Sequence, residues 1–429
     1  MTHASGAMAA GSEIEPPIRR AAIQEPARTV PVWSAYDVIV VGGGIAGVAA
    51  AVAAARNGAS VCLLEKANAL GGLATLGLVT VWLPLCDGSG RQVIGGLPEE
   101  LLQLSVADLR EDNATARFRG IPACWLPSGD PDQRRETRYA VSFNPISYLL
   151  ALEELVLREG ITLLYDTRVC AVRRKRDRIS HVIVETKAGR GALACCAVVD
   201  ATGDADVCHL AGEATESLDT NVLAGWFYHL QQDGLHLNPL THRYDATGQR
   251  DGAEGPFFRG DDPVHVTRQI LGSREMIRQR LEELRQRHPE EDIQPVLVPT
   301  IACFRMTRRL VGSFSLAAEH VHTWFDDAVG LTGDWRQRGP VYAIPWRSLR
   351  GVHNRNLLTA GRCISVDSTA WDVLRVIPPC AVTGTAAGTG AAMAAITNDG
   401  DLTRLPVAEL QRRLTEQGGL LDRGLVEEG

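Results

Sequence analysis

Two sets of residues carry most of the chemistry this chain could do. The first is Gly42, Gly44 and Gly47, spaced as G-x-G-x-x-G after Tyr36-Asp-Val-Ile-Val-Val, with Glu65 standing 18 residues beyond the third glycine. Each glycine has its own task. Gly42 permits a tight turn, Gly44 lets the backbone approach a pyrophosphate, and Gly47 lets a helix pack closely on the strand. The amides and partial positive charge at that helix N-terminus suit phosphates. Glu65 can accept hydrogen bonds from both hydroxyls of an adenosine ribose. This set predicts a bound dinucleotide. The second set is cationic: Arg305, Arg308 and Arg309 lie between Ile301-Ala-Cys-Phe304 and Leu310-Val311, and Arg375 follows later. Guanidinium clamps carboxylates bidentately, so Arg305, Arg308 and Arg309 are candidates to hold an anionic substrate group, while Arg375 could reach either the cofactor or the substrate. The competing reading is ion pairing with Asp326, Asp327 or Asp334.

Hydropathy patterning supplies the elements that position these residues. Tyr36 to Val41 reads as a buried strand, the Ala-rich run after Gly44 as a helix, and Ser60 to Glu65 as a second strand. Gly96-Leu97-Pro98-Glu99-Glu100 and Asn144-Pro145 read as helix starts, the second helix stopping at Gly160. Ile161–Asp166, Arg168–Arg174, Ile179–Thr186 and Ala192–Val199 read as short strands. The charge run from Arg173 to Arg178 reads as a solvated hairpin tip. Val199-Asp-Ala-Thr-Gly-Asp204 and Leu357-Leu-Thr-Ala-Gly361-Arg362 each end a strand in a further Gly turn. A charged helix is expected from the Asp262 cap and Pro263 to about Arg287. A small-residue helix is expected over Pro378–Ile396.

Composition fits a globular enzyme, with 45% hydrophobic and 22% charged residues. A net charge of −7 gives no reason to expect nucleic acid or an anionic membrane as partner. No apolar run approaches the ~20 residues a membrane span needs. Residues 1–30 read as a flexible or surface-lying arm without a signal peptide's apolar stretch, and the expected location is cytoplasmic. The ten cysteines include no C-x-x-C and no zinc-like Cys/His spacing, so no metal is expected and the thiols read as free.

With three strand–Gly elements in this order, the chain resembles the glutathione-reductase-like superfamily of FAD proteins. More narrowly it resembles the FAD-dependent oxidoreductase family related to fumarate reductase flavoproteins. The stretches that carry the likeness are Tyr36–Gly47, Leu70–Thr75, Ile94–Pro98, Val199–Asp204, Arg305–Arg309, Tyr342–Trp346 and Leu357–Ser365. The resemblance implies an α/β fold: a Rossmann-like FAD-binding domain with a β-strand insert and an inserted α+β substrate cap domain. The implied FAD-binding domain is discontinuous (31–79, 141–212 and 346–400). The cap comprises 80–140 and 213–345, and 401–429 forms a helical tail. The resemblance also implies that Gly42, Gly44, Ile45, Ala46 and Gly47 cradle the pyrophosphate and that Glu65 and Lys66 serve the adenosine side. Gly71, Gly72, Leu73, Ala74 and Thr75 would line the pyrophosphate and ribityl side, and Val169 would meet adenine through its backbone. Ala201, Thr202, Gly203 and Asp204 would close over the cofactor, and Gly361 and Arg362 would flank the ribityl phosphate. The helix from about Ile377 would point its N-terminus at the flavin pyrimidine ring. There the chain departs from relatives, since Pro378 and Pro379 remove two donors. It departs again at Met306, where an acid is usual. No His lies near Thr75 to Val81, so the FAD is expected to be non-covalent.

Three readings of function compete. The first is a dehydrogenase or reductase moving a hydride between a small organic substrate and flavin N5, with Arg305, Arg308, Arg375 and Asp367 as catalytic candidates. Asp367 is either a general base or a helix cap, and Cys86 and Asp87 lie in a loop that could face the flavin. The second is a monooxygenase, disfavoured because Ala360-Gly361-Arg362 stands where aromatic hydroxylases carry Gly-Asp-Ala. The third is a non-catalytic flavin-binding partner, disfavoured by the aromatic-rich cap. No second G-x-G-x-x-G marks a nicotinamide domain, so electrons come from the substrate or through a separate reductase or acceptor. Assembly into a homo-oligomer is compatible with all three.

Overall fold

Val38, Ile39, Val40 and Val41 are all almost fully buried, as β-branched residues are when a parallel strand is covered on both faces. Their alternation feeds two cores. Val38 and Val40 join the larger one under the helices, while Ile39 and Val41 join a smaller one with Ile179, Val182, Val184 and Leu193. The computed structural model describes residues 23–108 and 120–427. The strand Val32–Val41 pairs in parallel with Val61–Leu64 on one side and Gly189–Asp200 on the other. Thr162–Leu164 extends the sheet beyond Val61–Leu64.

The other edge changes character halfway along. The first half of Gly189–Asp200 pairs antiparallel with Arg178–Thr186, which forms a hairpin with Arg168–Lys175. Beyond that hairpin, Leu357–Thr359 takes the vacated edge and pairs in parallel with Val198–Asp200. The result is a seven-stranded sheet of Rossmann-like α/β type with a β-hairpin insert. Parallel strands end together at Val41, Leu64, Asp200 and Thr359, so their carboxyl ends gather at one edge, where α/β folds place ligands.

The helix Ile45–Arg56 lies on this sheet and crosses the helix Ile377–Asn398. Small residues make the crossing close: a Cβ built on Gly388 would stand 2.0 Å from the Ala50 carbonyl oxygen. By length and composition Ile377–Asn398 could cross a membrane, but 67% of that stretch is buried inside the fold. The sequence expectation of no such apolar run is therefore corrected, and burial against Ile45–Arg56 is the physical reason for the apolarity.

The Asn144 side chain caps Pro145–Arg158, and Asp262 caps Pro263–Arg287. The latter helix buries one stripe, including Ile277, Leu281 and Leu284, against Phe227 and Ile293. Its three-stranded neighbour (Phe227–Gln231, Gly234–Asn238, Gln294–Leu297) is tied to the body by Tyr228 and Thr80, whose hydroxyls lie 2.9 Å apart. Not all of 213–345 stands off the core. Ala328–Gly333 and Val341–Pro345 form a wholly buried pair, the first packed against Ile377–Asn398. At the charged hairpin Arg173 to Arg176 are exposed, but Asp177 and Arg178 pair with Arg355 and Asp399. The expected N-terminal arm lies outside the described residues as far as 22. From Glu25, paired with Arg190, it lies against the sheet, and the Pro31 carbonyl accepts from Ala192. Val407–Glu416 and Arg423–Glu427 form a helical tail.

Candidate functional site

The three glycines of the first turn do different things, and the geometry separates them. Gly42 has φ +101°, a conformation L side chains rarely adopt, and a Cβ there would lie 2.5 Å from the Ala201 carbonyl oxygen. A Cβ on Gly47 would lie 1.7 Å from the Gly42 carbonyl oxygen, so only glycine lets the helix meet the turn. A Cβ on Gly44 would meet nothing within 4 Å, which leaves the backbone open to a ligand on that side. Glu65 is buried, its two carboxylate oxygens accepting from the Gly43 amide at 2.6 Å and the Ala67 amide at 2.7 Å. It therefore shapes the turn, and a carboxylate retains lone pairs that could accept from ribose hydroxyls after these two bonds.

The later glycine turns converge on the first. Gly71 donates to the Gly43 carbonyl at 2.8 Å, and a Cβ on Gly72 would come 3.1 Å from Gly44 Cα. Leu73 and Ala74 continue from Gly72 in a short 3-10 turn, and the Thr75 hydroxyl closes the loop on the Leu70 carbonyl at 2.5 Å. Gly361 has φ +69° and donates to Thr383 Oγ1 at 2.9 Å; a Cβ on it would press on Ala46. Thr202 is fixed by the wholly buried Asp200, whose carboxyl is pushed up by burial and accepts from the Thr202 hydroxyl, Thr202 amide and Cys208 amide. Arg362 runs past Gly203 to Asp204 at 3.6 Å and donates to the Phe304 carbonyl.

Beside this convergence lies a cavity of about 240 Å³, lined among others by Gly42, Glu65, Lys66, Val169 and Thr202. Its size and its acid fit the adenosine side of a dinucleotide. The wall also holds Arg168, Asp206, His209 and Arg308, which sequence reasoning did not place there. Asp206 carried one legible signal, as an acid opening a helix just after the Gly203 turn.

The arginine cluster does not stay together. Arg308 turns to the cavity, donating to the Asp204 carbonyl at 2.8 Å and to Asp206 at 2.6 Å. Arg309 is buried, pairs with Glu216 at 2.7 Å and lies 5.7 Å from the Trp371 ring centroid. Arg305 stands apart from both. Its backbone is held by the buried Asn221 amide, and its Nη2 donates to the Thr241 hydroxyl at 2.8 Å. The Arg305 guanidinium lies 4.4 Å from the Tyr244 ring centroid, and that of Arg375 5.4 Å from the same centroid. Burial and the neighbouring Arg375 charge push Arg305 down to about 10, which still leaves it charged at neutral pH. Arg375 bonds Asp372 at 2.5 Å and the Tyr244 hydroxyl at 3.1 Å. Arg336 lies 3.6 Å from Asp372 and 2.8 Å from Asp334. Tyr244, Asp372 and Arg336 thus belong to this cluster; Tyr244 sits in a stretch without periodicity and gave no sequence signal.

Of the partners expected for Arg305, Arg308 and Arg309, Asp327 pairs instead with Arg347 and Asp334 with Arg336. Asp367 caps Ser368–Leu374, accepting from Ala370 at 2.6 Å while its other oxygen accepts from Ala318 at 3.3 Å. Of the two roles expected for Asp367, this placement shows the helix cap. Buried Asp87 binds Arg91 and its own loop amides, and burial pushes the Cys86 thiol up. All ten cysteines are free. The helix Ile377–Asn398 begins with Pro378 and Pro379, and the Cys380 amide bonds the Val376 carbonyl at 3.1 Å, leaving Ile377 as the amide donor nearest the tip.

A family model described as FAD dependent oxidoreductase matches residues 37–221 and 234–414. No curated protein matches the chain. Among solved structures it is similar to a geranylgeranyl bacteriochlorophyll reductase-like protein from Thermoplasma acidophilum, at 12% identity and TM-score 0.46, over 92% of this chain and 90% of that one. It is also similar to a flavocytochrome c3 fumarate reductase in its open conformation, at 14% identity and TM-score 0.41, over 85% and 79%. A p-nitrophenol 4-monooxygenase from Pseudomonas putida matches at 12% identity and TM-score 0.44, over 90% and 85%.

Proposed function

Because the chain belongs to the FAD dependent oxidoreductase family, and so is an FAD-dependent enzyme, we propose that it moves a hydride between flavin N5 and a small organic molecule bearing an anionic group. The observation that carries this reading is the charge around Tyr244. Arg305, Arg375 and Arg336 gather there, and Asp372 and Asp334 are the carboxylates bonded to them. Arg375 and Arg336 share those two, while Arg305 bonds a hydroxyl. A desolvated guanidinium facing a second cation is stabilised by an anion, and here a substrate carboxylate or similar group supplies it.

FAD, when bound, supplies two-electron chemistry at N5. The protein's own residues position it. The Gly42 turn, stacked on the Gly71 loop, holds the pyrophosphate. Ile377 stands at a positive helix end, which would suit the negative charge of a reduced flavin bound against it. Arg375 stands two residues before that helix, so the anion clamp and the helix tip are neighbours in the chain. Tyr244 keeps Arg375 in place through its hydroxyl and Arg305 through its ring face.

The test is anaerobic mixing of the FAD-loaded protein with a panel of small carboxylates, following loss of flavin absorbance. Bleaching by a member of the panel, lost in Arg305→Met with flavin content unchanged, supports the reading. Bleaching of Arg305→Met at the wild-type rate contradicts the anion clamp. Product that has gained an oxygen atom only when air is admitted would favour the monooxygenase reading instead.

A further inference from the structure

Arg308 belongs to the strand Arg308–Leu310, which pairs with Thr215–Ser217 in the region between the sheet strands. Its side chain nevertheless forms part of the wall of the cavity that holds Gly42, Glu65 and Val169. Only 12% of that side chain is exposed. Nε is anchored on the Asp204 carbonyl at 2.8 Å and Nη2 on Asp206 Oδ1 at 2.6 Å. A guanidinium has five N–H donors in a planar fork, so these anchors fix its orientation and leave donors for a ligand. The other cations of the wall, Lys66 and Arg168, are exposed.

A cavity wall that offers Glu65 as acceptor and Arg308 as donor is matched to a group with vicinal hydroxyls and an electron-rich, nitrogen-bearing ring. Adenosine has both. Its ring nitrogens accept hydrogen bonds and its face accepts a stacked guanidinium. We infer that Arg308 is a cofactor-binding residue that closes the adenosine end of the FAD site, with Asp206 as the residue that positions it. This rests on the reading of the cavity as the adenosine site. Two consequences follow from the geometry. Recognition of the adenylate half selects FAD over FMN, and a strand more than a hundred residues from Asp204 becomes part of the cofactor site.

The experiment titrates full-length apoprotein with three probes: FAD, ADP and riboflavin. Arg308→Met is expected to weaken FAD and ADP by about ten-fold or more while leaving riboflavin affinity unchanged, since one charge-assisted bond is worth about that much. ADP affinity within about two-fold of wild type would overturn the inference. If Arg308→Met does not fold, Arg308→Lys keeps the charge without the fork. It is expected to lose ADP affinity by several-fold, and unchanged ADP binding by that variant overturns the inference equally. A wild-type protein that binds riboflavin but not ADP would instead remove the cavity as adenosine site, and the inference with it.

Discussion

Gly44 and Gly47 stand three residues apart in one turn, yet replacing each by alanine should do opposite things. At Gly47 the new Cβ would sit 1.7 Å from the Gly42 carbonyl oxygen, where real Cβ contacts essentially never fall below 3.0 Å. Turn and helix must therefore part by about 1.3 Å, the difference between those two distances. The obstacle is backbone, which has no rotamer to escape into. The far side of the helix is closed too, since a Cβ on Gly384 of the crossing helix would already stand 2.2 Å from the Ala46 carbonyl oxygen. The cost should reach the upper part of the overpacking range, about 3 kcal/mol. At Gly44 the backbone is extended (φ −67°, ψ 178°), and a Cβ meets nothing within 4 Å. Gly44→Ala should leave apoprotein stability within about 0.5 kcal/mol of wild type. It should still weaken FAD about ten-fold or more by putting a methyl where the pyrophosphate approaches. Urea denaturation of both apoproteins, with FAD titrations of each folded variant, tests the pair. The reasoning is refuted if Gly44→Ala destabilises the apoprotein by more than about 1 kcal/mol, or if it binds FAD as wild type does.

Four further outcomes are expected. Glu65→Gln should lower FAD affinity by about ten-fold, because ribose hydroxyls lose a charged acceptor worth about 1.5–3 kcal/mol per bond; unchanged titration would take Glu65 out of the site. Asp367→Ala should cost about 1 kcal/mol as a lost helix cap while leaving the rate of flavin reduction unaltered, as measured by thermal melts and stopped flow. Heat denaturation should release all the flavin into the supernatant, and flavin retained by the precipitate would indicate a covalent bond. Burial and the neighbouring Asp204 and Asp200 raise Asp206 to about 6, with Lys66 and Arg308 opposing. A carboxyl raised on folding stabilises below its unfolded pKa, and that contribution is lost as pH rises through the folded value. The stability of wild type relative to Asp206→Asn should thus fall between about pH 4 and pH 6, as read from urea midpoints across that range.

Local signals reported local structure well. The Gly42 turn, the Asn144 and Asp262 caps and the hairpin turn at Arg176 each rest on a few adjacent residues whose backbone preferences agree, so their positions were legible. The paired glycines 71–72 and 361 were legible as turns, but their convergence on Gly44 and Ala46 depends on sheet order and not on spacing. The arginines mark the limit. Arg305, Arg308 and Arg309 look alike in sequence, and their separation follows from partners more than 60 residues away: Thr241, Asp206 and Glu216. Asp367 was ambiguous because a helix cap and a catalytic base are the same residue type beside the same kind of turn. The apolarity of Ile377–Asn398 was underestimated because glycine and alanine contribute little side-chain bulk, although their packing on Ile45–Arg56 buries them.

A structure of the FAD-loaded protein soaked with a small carboxylate tests the account most directly. The account predicts adenosine between Glu65 and Arg308, the isoalloxazine at the tip of Ile377–Asn398, and the carboxylate on Arg305 and Arg375. The substrate carbon should then lie about 3–3.5 Å from N5. A flavin whose N5 opens away from Tyr244, with Arg305 and Arg375 touching neither cofactor nor carboxylate, would contradict it.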